Sequence, residues 1–252
     1  MKITFLGTGT SQGVPVIACQ CAVCKSEDVR DKRLRSSVLI SHKGQQFIID
    51  TGPDFRQQIL RENVNQLDFV LLTHGHKDHI AGLDDIRAFN HIQYKPMDIY
   101  ADKLTCETVT REFLYAFAEH KYPGIPELKL NPICEQPFTV HDITILPIPV
   151  MHYKLPILGF RIENIAYITD ASFIEKKELD KLLNLDILII NALRIEKHYS
   201  HFNLEESIAV ANYLRPRKTY FTHISHHILH EKHSKHVPKN MAFAYDKLII
   251  EA

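Results

Sequence analysis

With 252 residues, 45% hydrophobic and 24% charged, the chain is long enough to bury a sizeable core and has the composition of a folded globular protein. Thirty basic residues balance thirty acidic ones, for a formal charge of zero. That removes the basic excess behind non-specific nucleic-acid binding, and no run approaches the ~20 apolar residues of a membrane span.

In chain order, Met1-Lys2 leads straight into a strand-like run, Ile3–Leu6, without a signal-peptide core or cleavage site. A cytoplasmic protein is expected. Cys19, Cys21 and Cys24 follow in CQCAVC, too tightly clustered for a secreted disulfide framework, so thiolate metal ligands are expected, with reactive unpaired thiols as the other reading. β-Branched and aromatic runs predict strands at Ser37–Ser41, Phe47–Asp50, Phe69–Thr73, Asp98–Tyr100, Ile143–Ile148, Leu158–Ile162, Ala166–Thr169, Ile187–Ile190 and Thr219–Thr222. Helical patterns lie between them at Asp54–Arg61, His79–Phe89, Lys103–His120, Glu175–Leu183 and Leu204–Leu214, the last with Asn203 as N-cap. The class is α/β. No repeat, low-complexity tract or Gly/Ser linker divides the chain, so one domain over 1–252 is expected, with Tyr122-Pro123-Gly124-Ile125-Pro126 as a surface excursion. Cys106 and Cys134 read as small buried hydrophobes.

Three strand-like runs end alike: Leu71-Leu72-Thr73-His74, Tyr167-Ile168-Thr169-Asp170 and Phe221-Thr222-His223. Each delivers a metal-competent side chain at a strand's C-terminal end, the edge where α/β proteins gather their sites. The first continues as His74-Gly75-His76-Lys77-Asp78-His79. In an extended His-x-His both imidazoles lie on one side of the chain, and Asp78 and His79 come from the turn into the next helix, an arrangement that suits a loop feeding two neighbouring metals. His152 alone would read as a strand histidine and Asp170 alone as a helix cap; the HGHKDH run raises both.

In that order, the HxHxDH run, His152, Asp170 and His223 resemble the five motifs of the metallo-β-lactamase fold superfamily of hydrolases. The likeness extends from Gly7-Thr8-Gly9-Thr10 through Asp50-Thr51-Gly52 to His223. It implies an αββα four-layer sandwich with a dinuclear centre: one ion on His74, His76 and His152, the other on Asp78, His79 and His223, with Asp170 bridging. Two divalent ions ~3.5–4 Å apart can share a bridging hydroxide and hold it for in-line attack. Zinc is the expected metal, with manganese held open.

Gly7 through Pro15, then CQCAVC and Arg35-Ser36-Ser37, closely resemble the PhnP-type phosphodiesterases. That likeness implies a structural zinc on Cys19, Cys21 and Cys24, completed three residues beyond the last catalytic ligand by His226, with His227 as the rival. Cys₃His is a common closed tetrahedral set. It also implies a non-ligand histidine beside the metals: His201, with His198 as the alternative. Imidazole is suited to protonating a poor alkoxide leaving group. The chemistry itself is assigned to His201 and the ligand Asp78.

The expected activity is a dinuclear metal-dependent phosphodiesterase acting on a small cyclic or nucleotide-like phosphodiester. The alternatives are a tRNA 3′-processing-type nuclease, which the missing basic excess disfavours, and a lactone or thioester hydrolase. A non-catalytic zinc module would want a closed coordination sphere, whereas seven ligands for two ions leave room for water. The expected partner is the small substrate, with no membrane; the balanced charge disfavours nucleic acid, and a homodimer is held open. Lys154, Arg194 and Lys197 are candidates for contacting phosphate, and the histidine-rich run His226–His236 reads mostly as a solvated segment.

Overall fold

The computed structural model describes residues 1–120 and 122–252. The strands and helices in chain order are β1 (Lys2–Gly7), β2 (Ser37–His42), β3 (Gln45–Ile49), α1 (Phe55–Arg61), β4 (Phe69–Leu71), α2 (Lys77–Ile80), α3 (Arg87–Gln93), β5 (Met97–Ala101), α4 (Lys103–Glu112), β6 (Leu128–Pro132), β7 (Phe138–Val140), β8 (Ile143–His152), β9 (Leu155–Ile162), β10 (Ile165–Ile168), α5 (Lys176–Asp180), β11 (Ile187–Asn191), α6 (Leu204–Leu214), β12 (Lys218–Thr222), α7 (His230–Ser234), β13 (Met241–Phe243) and β14 (Ile249–Glu251). The strands form two sheets, ordered β14-β1-β2-β3-β4-β5-β6 and β13-β12-β11-β10-β9-β8-β7. No helix among the described residues is long and apolar enough to cross a membrane.

Alternation along the strands assigns each side chain to a layer. Phe5, Val38, Phe47 and Phe69 of the first sheet meet Leu158, Phe160, Tyr167 and Ile189 of the second in one buried cluster. The opposite face of the first sheet, through Ile48, Val70 and Ile99, packs on Phe55, Phe89 and Val109 from helices. The opposite face of the second, through Ile168, Leu188 and Ile190, packs on Leu204, Ala211 and Leu214. The result is helix, sheet, sheet, helix: the αββα sandwich.

Every strand run read from the sequence is a strand, and α6 has the expected bounds, with Asn203 and Glu206 forming a reciprocal capping box. The other helices are shorter than expected. Over His79–Phe89 the chain runs through α2, a 3₁₀ stretch Ala81–Ile86 and α3, because the Gly82 amide bonds the Thr51 carbonyl at 2.8 Å rather than a helical carbonyl. The helix expected over Lys103–His120 stops at Glu112, where Phe113 leaves the helical region (φ −117°, ψ 41°). The His226–His236 run is not simply solvated. Ile228 and His230 are buried, and the His230 amide donates to the Asp31 carboxylate at 2.8 Å. Cys106 is buried as expected, whereas Cys134 is exposed.

Candidate metal centre

β3 and β4 are parallel, so Asp50 and the His74 loop leave the first sheet at the same edge. In the second sheet β10, β11 and β12 are parallel, and β8 runs in their direction across the antiparallel β9. His152, Asp170 and His223 therefore emerge at one edge of that sheet. The Leu158 amide donates to the Thr73 carbonyl at 3.0 Å and ties the two edges together. Asp50, Asp170 and His223 all take positive φ (67°, 58° and 54°), a conformation a non-glycine residue keeps only where its surroundings enforce it. Gly52 allows the close approach of the two loops: a Cβ there would lie 2.1 Å from the Asp78 carbonyl oxygen.

The seven side chains gather in two groups, His74 with His76 and His152, and Asp78 with His79, Asp170 and His223, the potential ligand atoms of each lying within 4.8 Å of one another. His74 Nε2 lies 2.9 Å from His76 Nδ1. Asp170 reaches across the second group, one oxygen 3.3 Å from His79 Nε2 and the other 3.2 Å from His223 Nε2.

Hydrogen-bond partners fix which nitrogens face inward. Asp50 accepts from His79 Nδ1 at 2.7 Å; a carboxylate only accepts, so Nδ1 carries a proton and Nε2 faces Asp78 (3.1 Å) and Asp170 (3.3 Å). That nitrogen is buried without a hydrogen-bond partner. A ring nitrogen facing two carboxylates calls for positive charge at that point, a proton or a divalent ion that displaces it, and this donor set fits the ion. His152 Nδ1 faces two backbone carbonyls, Asp170 at 2.9 Å and Ser200 at 2.8 Å, which likewise turns its Nε2 toward the cluster. Backing of this kind orients metal-binding histidines.

The electrostatics follow. Burial depresses His74 well below the ordinary imidazole range, with the neighbouring His79 adding to the effect. Burial also lowers His76, and it brings His223 down to about 4 against the pull of Asp170. Neutral imidazoles are the metal-binding form. Burial would depress His79 too, but Asp78, Asp50 and Asp170 outweigh it and hold its imidazolium well above the usual range. Burial opposes ionisation of Asp170, yet His223 and His79 draw it well below the carboxylate range. Cationic charge is favoured where the carboxylates converge.

His201 forms a further group of potential ligands with His152 and Asp170, its Nε2 3.1 Å from Asp170 Oδ1 and its Nδ1 2.9 Å from Ser200 Oγ. His198 sits one ring further out, its Nδ1 3.3 Å from His201 Nδ1. Of the phosphate-contact candidates, Arg194 is engaged with its own loop, donating to the carbonyls of Glu196 and Lys197 at 3.3 and 2.8 Å. The sequence does not mark Asp50, Thr73 or Ser200 as functional. The signal that could have found them is a polar residue next to each ligand or at a strand end.

A second centre lies nearby. Cys19, Cys21 and Cys24 Sγ stand 3.2, 3.6 and 3.6 Å from His226 Nδ1. Tetrahedral zinc with ordinary bond lengths separates sulfur and nitrogen ligands by about 3.5 Å, so this set also fits. His227 turns away to Ser225 Oγ at 3.1 Å. Against the effect of burial, the Cys24 amide and the surrounding thiols bring the Cys21 thiol down to about 6, while burial pushes Cys24 up to about 11. Once one thiolate forms its neighbours resist ionisation, a conflict that a divalent cation removes. Buried Arg33 bonds Asp31 (2.7 Å) and the carbonyls of Ile228 (2.9 Å) and Ser225 (3.3 Å), clamping the segment between His223 and α7.

The model of the β-lactamase superfamily domain matches residues 45–224. Fold and match together define the class: a hydrolase of the metallo-β-lactamase fold superfamily. A solved structure described as a new diphosphatase from the PhnP family superposes with a TM-score of 0.94 at 38% identity, covering 100% of this chain and 97% of that one. The chain belongs to the PhnP family. It is also 40% identical over 252 residues to a protein of Porphyromonas gingivalis named octanoyltransferase, covering 98% of this chain but only 51% of that protein. A ribonuclease Z of Mycobacterium sp. (strain KMS) is 28% identical over 208 residues, covering 76% of this chain and 66% of that one.

Proposed function

We propose that the protein is a dinuclear metal-dependent phosphodiesterase acting on a small cyclic or nucleotide-like phosphodiester. His74, His76 and His152 would hold one divalent ion and Asp78, His79 and His223 the other, with Asp170 shared; zinc is favoured on the histidine-rich set and manganese is admitted. Bound together, two such ions lower the pKa of water to near neutrality and neutralise developing phosphoryl charge. Asp50 and the carbonyls facing His152 keep the imidazoles in their binding tautomers. A further zinc on Cys19, Cys21, Cys24 and His226 would brace the segment that carries His223.

The observation that carries the reading is the placement of His201, whose Nε2 reaches the Asp170 carboxylate at 3.1 Å with Ser200 and His198 behind its other nitrogen. From there it can deliver a proton to a departing alkoxide, for a rate contribution of ~10²–10⁴-fold. The PhnP-family diphosphatase, 38% identical over the whole chain, supports phosphoryl chemistry. His201→Ala is expected to lose that factor on substrates with alkoxide leaving groups, lose far less on p-nitrophenyl esters, and keep its full metal content. Loss of metal would make His201 a ligand, and equal loss on both leaving groups would remove it as the acid.

The second reading is hydrolysis of a lactone or thioester; the relative named octanoyltransferase, of which this chain covers 51%, keeps acyl chemistry in view. A thiolate leaves without protonation, so on that reading His201→Ala spares thioester cleavage.

A further inference from the structure

We propose that the exposed ring of Tyr199, backed by His198 and braced by Tyr153, is a stacking platform for the base of a nucleoside-bearing phosphodiester. This rests on the phosphodiesterase reading above and assigns the part of the substrate that does not react.

Tyr199 and Tyr153 are 74% and 54% exposed, although both adjoin the metal cluster in sequence and in space. They are not loose. Tyr199 lies on the His198 ring with centroids 4.6 Å apart and planes at 26°, and the Tyr153 and Tyr199 rings meet in a T-shaped arrangement at 5.5 Å and 82°. The Tyr153 amide donates to Ser172 Oγ at 2.9 Å, and Arg194 bonds the carbonyls of its own loop just before Tyr199. Tyr199 is thus stacked on one neighbour, braced by another and still largely exposed, in a position set before any ligand arrives.

The stack leads inward. The His198 and His201 centroids are 5.3 Å apart, and His201 Nε2 touches Asp170. A phosphoryl group at the metals and a planar ring on Tyr199 would lie on one continuous wall. Lys154, its Nζ 5.4 Å from the Tyr153 centroid, adds positive charge at the same rim for an anionic ligand. Base–aromatic stacking is tolerant of base identity because every base has a π-face. The platform therefore selects for the presence of a base, not for which base it is. A ribose cyclic phosphate without a base would leave the ring uncovered.

The test compares steady-state kinetics of metal-loaded wild type, Tyr199→Ala and Tyr199→Phe on adenosine 2′,3′-cyclic phosphate and on a baseless ribose cyclic phosphate. Removing the stack should lower the nucleoside-to-baseless ratio of kcat/KM roughly 5- to 150-fold, mainly through KM, because the contact is made equally in ground and transition states. Tyr199→Phe should keep the wild-type ratio. Adenosine monophosphate should compete more strongly than ribose 5-phosphate in wild type, with the gap closing in Tyr199→Ala. An unchanged ratio, or a loss confined to kcat, overturns the platform while leaving phosphodiester hydrolysis standing. A wild type inactive on both esters overturns the phosphodiesterase reading, and the platform with it.

Discussion

Asp50 offers a direct perturbation of the proposed Asp78–His79–Asp170–His223 metal site from outside its ligand set. Its buried carboxylate accepts from His79 Nδ1 at 2.7 Å, from the Thr73 amide at 2.8 Å and from Thr73 Oγ1 at 2.9 Å. Asp50→Asn keeps the shape and tolerates the positive φ, but it removes the charge and turns amide hydrogens toward groups that are themselves donors. Loss of such backing weakens metal binding by roughly 10–100-fold, equivalent to about 1.4–2.7 kcal/mol. Asp50→Ala goes further and strands His79 and Thr73 in a dry interior, with an expected cost of about 3–5 kcal/mol to the metal-free fold. A chelator-competition titration of Asp50→Asn, beside urea unfolding of both variants without metal, measures the two effects separately. An Asp50→Asn protein that binds catalytic metal within twofold of wild type would refute the argument that this carboxylate fixes the His79 tautomer.

Cys21→Ser should lose one zinc per chain and much stability, with activity falling only in step; a stably folded, zinc-replete variant with selectively lost chemistry would contradict the bracing role. Arg33→Met leaves Asp31 as an unpaired charge under the segment that follows His223, and unfolding experiments should show a cost of about 3–5 kcal/mol. A third expectation concerns pH. Burial pushes Asp246 up to about 6, although Leu34, Thr8 and Arg61 all favour its ionised form. The folded chain therefore keeps a proton that the unfolded chain releases near pH ~3.9. This group's contribution is full below about pH 4 and is lost as pH rises through about 6, at most about 3 kcal/mol in all. The stability of wild type minus that of Asp246→Asn should fall by that order between pH 4 and 7, and parallel profiles would reject it.

The strands that the sequence concealed are β6, β7, β13 and β14, which are the four edges of the two sheets. Each has five residues or fewer, and β6 ends on a proline. Edge strands are kept short and partly polar, which erases the alternation that makes inner strands readable. The side chains of the proposed metal sites are legible because each closes an apolar run or stands in a dense polar motif. Asp50 closes its strand in the sequence, but its task depends on where His79 turns, 29 residues later. Likewise, spacing alone left His226 and His227 open. The direction of a ring decided between them, as Nδ1 of His226 faces three sulfurs while His227 faces Ser225.

Turnover and metal content measured on one sample test most directly the hydrolysis of phosphodiesters by a two-ion centre in this protein. Protein carrying three metal equivalents should cleave bis(p-nitrophenyl) phosphate and at least one ribose or nucleoside cyclic phosphate, and lose this activity when the two catalytic equivalents are stripped while the thiolate-bound one remains. Fully loaded protein that leaves every phosphodiester intact and cleaves a lactone or thioester would contradict it.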